Sequence, residues 1–416
     1  MDNCITFTKT SATGLKKFSN PKHWDNAKKF FEDENYVNSF YATLNYIDED
    51  LITKYGNADK TEFTFPQGSA VVIVKLEDNQ VKITAPFVKI PEKKFLPIFR
   101  KCTELNFKVM TLPQIVIQDN YLIFQYTMPI DLCEPYKLYD VLRDIAQNAD
   151  KYDDEFVEKF GAERIMQPMI SNYDNAKMAD IVANCKAIAK ETIAHIDYFE
   201  GKRRMSNACD ALYVGLKRMD YYCEPSGMLY KKLDDALSAM FNGENDWIAK
   251  LKQGKQFLAS FETMTQDEIK EDVFVGFSLM PLKRNASRNF LEDYIENHLN
   301  ETISLHNSAD YIGSTYYGLY TLYSILANYN LEEHSKNAIE YSLKKAANQP
   351  WEDASDTLLE VMDFFFQNNE DEFEMDNDDQ QEAPAFDMSA LTGQMGDFMK
   401  NYQSMLGGFM QAFTKK

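Results

Sequence analysis

Several features that would assign this chain a chemistry are scarce or missing. Glycine totals 16 in 416 residues, and none of it forms a GxxxxGK[ST] or GxGxxG run. Loops of those kinds let backbone approach a phosphate, so no nucleotide cofactor is expected. Gly68-Ser69 and Gly313-Ser314 lack the flanking glycines of a GxSxG elbow. Histidine occurs five times and never in HExxH. Glu191 and His195 stand four apart on an expected helix, which reads as a surface contact and not as half a metal site. Glu301 and His306, five apart, point in different directions. No catalytic residue, cofactor or metal ligand is nominated, and the chain reads as a non-enzyme.

Long apolar runs are also missing, so no helix is expected to cross a membrane. Met1-Asp2-Asn3-Cys4-Ile5 has no basic stretch leading into an apolar one, so no signal peptide is expected and the location reads as cytoplasmic. Six cysteines (Cys4, Cys102, Cys133, Cys185, Cys209, Cys223) stand singly. Without a CxxC pair they read as reduced thiols of a cytosolic protein.

Cations are in the minority. The net charge is −21, with 21 basic and 25 acidic side chains in 1–166, 20 and 30 in 167–366, and 3 and 10 in 367–416. Such a surface repels phosphate backbones and anionic lipid, so nucleic acid and membrane are poor partners and a neutral or basic protein fits better.

What is present is strong periodicity. Asn20-Pro21 reads as the cap and first residue of a helix to Phe31. A second helix is expected over Tyr36–Tyr55, with Phe40, Leu44, Ile47 and Leu51 on one face and Gly56-Asn57 as a left-handed close. The period then changes to two. Glu62–Phe65, Ser69–Leu76 and Gln80–Phe87 read as strands, with Glu77-Asp78-Asn79 as a hairpin turn. A helix follows from Pro91, then a second hairpin of Gln114–Gln118 and Tyr121–Met128, then a helix from Pro135 to about Ala149. Paired hairpins imply an antiparallel sheet with helices on one face.

From Asp174 onward the period is 3.6. Eight helices are expected: 174–200, 206–222, 228–241, 246–264, 287–305, 309–329, 332–347 and 351–366, a helical bundle or array. Lys202-Arg203-Arg204 reads as cations at a helix C-terminus; a phosphate site shared with Arg284 and Arg288 has no further support. Tyr316, Tyr320 and Tyr323 read as a helix–helix contact with their hydroxyls at its rim.

Residues 367–383 hold eight acids and no base, which reads as a disordered linker. Beyond it Met388, Leu391, Met395, Phe398, Tyr402, Met405 and Phe409 follow a heptad seam. Four glycines (Gly393, Gly396, Gly407, Gly408) weaken that helix by about 1 kcal/mol each. The seam reads as a partner-binding arm that orders only against another surface, with docking onto its own helical domain or self-association as the alternative.

The hairpin GSAVVIVKLEDNQVKITAPFVKIP (68–91) and the helix FLPIFRKCTELNF (95–107) carry a resemblance. So do IVIQDNYLIFQYTMPI and YKLYDVLRDIAQNADKY, which follow. Together, over about 36–160, they resemble the type III secretion chaperone-like fold, including its YbjN-type relatives. That resemblance implies a small acidic binder, usually a homodimer, that holds extended segments of client proteins without a cofactor. The division expected is an α+β domain over 1–165, an all-α helical bundle over 166–366, the linker over 367–387 and a tethered C-terminal helix over 388–416. The function expected is chaperone-like or adaptor binding of a protein partner, with a structural subunit of a larger assembly as the alternative.

Overall fold

The computed structural model describes residues 2–11, 20–93, 95–165, 170–243, 246–276, 278–281, 283–367 and 373–375. The first part runs α1 (Pro21–Glu32), α2 (Tyr36–Ile47), α3 (Leu51–Tyr55), β1 (Glu62–Gln67), β2 (Ala70–Glu77) and β3 (Gln80–Lys89). It continues with α4 (Phe95–Lys108), β4 (Gln114–Gln118), β5 (Tyr121–Pro129), α5 (Pro135–Phe160) and β6 (Glu163–Arg164). The strands form one antiparallel sheet in the order β1-β2-β3-β5-β4, with β6 added to β3 at Val88 and Lys89. Alternation does the sorting. Phe63, Phe65, Val72, Val74, Val81, Ile83 and Phe124 turn to a core closed by Phe40 and Leu44 of α2, Ile98 and Leu105 of α4, and Leu138, Leu142 and Phe156 of α5. Asp78 and Asn79 take positive φ in the β2–β3 turn, which these two residue types tolerate.

The helical body comprises β7 (Ile170–Ser171), α6 (Asn175–Gly201), α7 (Met205–Cys223), α8 (Gly227–Phe241), α9 (Trp247–Thr263) and α10 (Gln266–Asp272). After these come β8 (Val275–Gly276), β9 (Arg284–Asn285), α11 (Arg288–Asn307), α12 (Tyr311–Asn328), β10 (Tyr329–Asn330), α13 (Glu333–Ala346) and α14 (Trp351–Phe366). It has its own core, with Ile181, Phe199, Leu212, Met219, Phe261, Tyr316, Leu322, Leu358 and Phe365 fully or almost fully enclosed.

Three details differ from the periodicity. The helix expected over Tyr36–Tyr55 breaks after Ile47, because Asp48 is extended and its carboxylate accepts the Asp50 N–H at 2.8 Å. Gly56 is likewise extended (φ −84°), not left-handed. Helix α5 runs to Phe160, well past Ala149: its charged stretch 150–155 hides an inward line of Ala149, Tyr152 and Phe156. The short α10 carries a Thr265–Glu268 capping box that the sequence reading passed over.

Two segments cross the division expected at 165–166. Residues 2–11 do not join the sheet. Cys4 donates its N–H to the Gln349 carbonyl at 2.8 Å, Ser11 donates to the Tyr222 carbonyl at 2.9 Å, and Cys4 and Ile5 lie in the helical core. In return, Leu279 and Met280 enter the sheet core. The Gln67 amide accepts the Met280 N–H at 2.8 Å and donates to the Met280 carbonyl at 3.1 Å. Period alone could not show either exchange. Within the acidic stretch, Phe373 is buried against the helical body, its ring 5.0 Å from Phe364 and 6.3 Å from Tyr341, and Met375 packs beside it; residues 368–372 and 376–387 lie outside the described residues.

Candidate functional site

Helix α4 is apolar on both sides. Ile98, Cys102 and Leu105 recur at 4-3 spacing and enter the core. On the opposite side Leu96 and Phe107 lie about three turns apart on one line, exposed by 61% and 85%. Phe95, Val109, Leu112 and, on β4, Ile117 are exposed too. Arg100 and Thr103 stand between Leu96 and Phe107 on that line, so the surface alternates apolar and polar groups. Single exposed apolar groups are ordinary, but several on one helix and its neighbouring strand are not. Its surroundings also depart from the rest of the chain. Residues 93–108 hold five cations (Lys93, Lys94, Arg100, Lys101, Lys108) and one acid, Glu104. Lys101 pairs with Glu104 and Glu155, at 3.5 and 3.8 Å; Lys93, Arg100 and Lys108 are exposed. The net charge of the chain suggests a neutral or basic partner. At this surface the local charge is reversed.

Open sheet edges invite strand addition, and here both are obstructed. On β4 the Asn106 side chain accepts the Ile115 N–H at 2.7 Å and donates to the Ile115 carbonyl at 3.1 Å, taking the place of a neighbouring strand. Strand β1 meets Gly56 at Phe63 and Ser278 at Gln67. The α4–β4 surface therefore presents side chains more than backbone.

A second feature is a cleft of about 750 Å³ between the sheet unit and the helical body. Ile47, Leu233, Leu237, Phe274 and Leu279 give it apolar walls, but its polar groups are engaged with one another. Lys217 donates to the Asn328 side chain at 2.8 Å, Lys283 to Glu224 at 2.9 Å and Lys151 to Asp234 at 2.8 Å. Gln147 donates to the Pro281 carbonyl at 2.9 Å. Burial lowers the Lys217 pKa, and burial raises that of Asp220 although both lysines oppose it. Asp150, which accepts from the Ser69 N–H and hydroxyl at 2.7 and 2.9 Å, is pushed up to about 7 by burial, with Asp153 adding to the effect. Gly68, at φ +55°, is required beside it, since a Cβ there would meet the Asp150 carboxylate. Asp272, which receives the Leu229 N–H at the start of α8, is pushed up to about 6 by burial. The cleft is built as a joint between the two units.

Among the described residues no group of three or more His, Cys, Asp or Glu is placed to hold a metal, and no helix is long and apolar enough to cross a membrane. The Glu191–His195 pair is not the surface contact expected. His195 is buried, its Nδ1 2.7 Å from the Tyr316 hydroxyl, and burial lowers its pKa. Glu191 instead receives Arg218 at 2.8 Å and the Thr6 N–H and hydroxyl at 3.0 and 2.9 Å. Arg218 also donates to the Thr6 carbonyl at 2.6 Å. The tyrosine hydroxyls are not at a rim either: Tyr316 and Tyr323 are 1% and 2% exposed. Arg204 pairs with Asp310 at 3.0 Å, while Arg288 donates to the Phe364 carbonyl at 2.9 Å, so the two have different partners. Met388, Leu391, Met395, Phe398, Tyr402, Met405 and Phe409 lie outside the described residues.

The fold of this part is an antiparallel sheet with helices packed against it, an α4 carrying exposed apolar groups, and contacts at both sheet edges. Residues 37–168 match the model of the TY-Chap1 family, described as T3SS (YopN, CesT) and YbjN peptide-binding chaperone 1. No curated protein matches the chain. The matched region includes the sheet, α4 and α5, under half of the chain.

Proposed function

We propose that the protein is a non-enzymatic, chaperone-like binder of polypeptide, and that it holds an apolar client segment flanked by acidic residues on the α4–β4 surface. The observation that carries this reading is the exposure of Leu96, Phe107 and Ile117 among exposed cations in an otherwise acidic chain. Apolar burial would supply the attraction, at about 25 cal/mol per Å² removed from water. The cations would select acidic flanks and speed encounter. The peptide-binding description of the matched family agrees with it. In the same reading the seam from Met388 to Phe409 is a second docking segment. Six buried free cysteines suit a reducing compartment, so we take the site of action to be the cytoplasm.

A second copy of the chain could cover the same face, as a homodimer. Two-fold symmetry would then oppose α4 to α4 and cation to cation, which favours the acidic client. Affinity capture from the native cell, comparing the wild-type chain with Leu96→Asp/Phe107→Asp, tests the reading. Proteins retained by the first and lost by the second are expected. Identical sets from both would exclude this surface.

A further inference from the structure

A line of rings, half-buried along α11 and α12, buried at Tyr213 and exposed at its far end, runs along the helical body and takes no part in the surface proposed above. Phe290 and Tyr294 of α11 are 5.8 Å apart, Tyr294 and His298 5.2 Å, and His298 and Tyr320 of α12 5.7 Å. Tyr320 then meets Tyr213 of α7 at 4.6 Å, and Tyr213 meets Phe241, at the end of α8, at 5.4 Å. Phe241 is 65% exposed, and past it Trp247 and Ile248 are exposed by 54% and 72%. Tyr213 belongs to the core with Tyr316 and Tyr323, while Phe290, Tyr294 and Tyr320 pack against that core and keep part of their surface exposed. A line of aromatic contacts ending in three exposed apolar groups offers a surface track on which an apolar segment could dock.

The described chain ends beside this track. Phe373 packs on Phe364, whose backbone carbonyl accepts Arg288, two residues before Phe290. Residues 376–416 remain. The stretch 376–387 reaches up to about 40 Å when extended, and 388–413 as a helix is about 39 Å long. The seam carries Met388, Met395 and Met405, with Met399 and Met410 beside it. Thioether sulfur packs favourably at aromatic edges, and methionine adapts to an irregular ring surface. Charge agrees as well. Residues 388–413 hold one acid and one lysine, with two more lysines directly after at 415 and 416, whereas Asp210 and Glu301 flank the track near Tyr317. A short tether holds the segment at high effective concentration, so a weak contact suffices.

We propose that residues 388–413 dock on this ring line within their own chain. The proposal rests on the reading of 388–413 as a docking segment and is independent of the α4–β4 surface. Client capture by the seam must then displace it from the rings, so the body would hold the arm in reserve.

The test uses the full chain with a photo-crosslinking phenylalanine analogue at position 402, in an equal mixture of ¹⁴N- and ¹⁵N-labelled protein. Same-isotope crosslinks to 290–298, 317–320 or 241–248 are expected, and Phe398→Asp/Phe409→Asp should remove them. In that double variant, amide exchange in α11 and α12 should quicken by about tenfold with the melting temperature unchanged. Crosslinks to α4 or β4, mixed-isotope crosslinks alone, or none would each overturn the proposal. Adding Phe107→Asp, which disables the proposed client surface, should leave the crosslinks unchanged, so failure of one idea does not imitate failure of the other.

Discussion

The outer face of α4, in the sheet unit, and the cluster around Arg218, in the helical body, handle their difficult residues in opposite ways. In the sheet unit, large apolar side chains are left outside: Leu96 and Phe107 face water from a helix whose other side is already buried. In the helical body, polar side chains are drawn inside: buried Arg218, His195 and Tyr316 and half-buried Glu191 form a set closed by Thr6 from the N-terminal segment 2–11, a strap across the helices. Exposed apolar surface contributes nothing to the isolated fold, so it can be altered without loss of stability. A buried charge pair is the reverse case, since removing one partner strands the other. The difference separates a region suited to binding from one that holds the protein together.

The largest effect should come from breaking the buried set. Arg218→Leu leaves Glu191 without its guanidinium and releases the strap, and should lower stability in urea by about 3–5 kcal/mol. A loss below about 1 kcal/mol would mean that solvent at the exposed side of Glu191 replaces the guanidinium fully. A somewhat smaller effect tests the exchange in the other direction. Met280, fully buried, comes from the helical half of the chain but fills the sheet core, so Met280→Ala should cost about 3 kcal/mol. The loss should appear first in amide exchange of β1 and β2; a loss confined to the helices would argue against the crossover.

The joint between the units should respond to pH. Burial raises Asp150 to about 7 and Asp272 to about 6. Carboxyls raised in the folded state bind protons more tightly there than in the unfolded chain. The stability they contribute is complete below their ordinary range near 4 and is lost as pH rises through 6 to 7. The urea midpoint should therefore rise on going from pH 8 to pH 5.5, by the equivalent of about 2 kcal/mol. Asp150→Asn should flatten that rise, and an unaltered slope in the variant would remove Asp150 from the account. The smallest stability effect belongs to the exposed helix. Phe107→Asp should change stability by no more than about 0.5 kcal/mol, and a sharp fall would show that Phe107 packs in the folded protein.

Much of this contrast is legible in the sequence, and the exceptions have physical causes. Period-two runs with Asp78-Asn79 between them give the hairpin, and the 4-3 spacing of Ile98, Cys102 and Leu105 gives the inner face of α4. The outer face of α4 was equally readable, since Leu96 and Phe107 fall on one line among lysines. That signal was masked by the net charge of −21, a sum over the whole chain that hides a local reversal. Asn106 could not be assigned its role, because closing the β4 edge depends on how far away Ile115 folds. Thr6–Arg218 and Gln67–Met280 join residues more than two hundred positions apart, beyond the reach of any local pattern. For His195 and Tyr316 the helical spacing was correct, but the depth was misjudged: a His–Tyr pair that satisfies itself can be buried, where either group alone would be pushed to the rim.

The central claim is that the exposed face of α4 binds apolar segments with acidic flanks. Fluorescence anisotropy of two labelled peptides with one apolar centre, flanked by aspartates in one and by lysines in the other, measures it directly against the full chain. The aspartate-flanked peptide should bind at least about tenfold more tightly, a difference of about 1.4 kcal/mol, and lose that binding with Phe107→Asp. Equal affinity for the two peptides, or binding that survives the substitution, would contradict it.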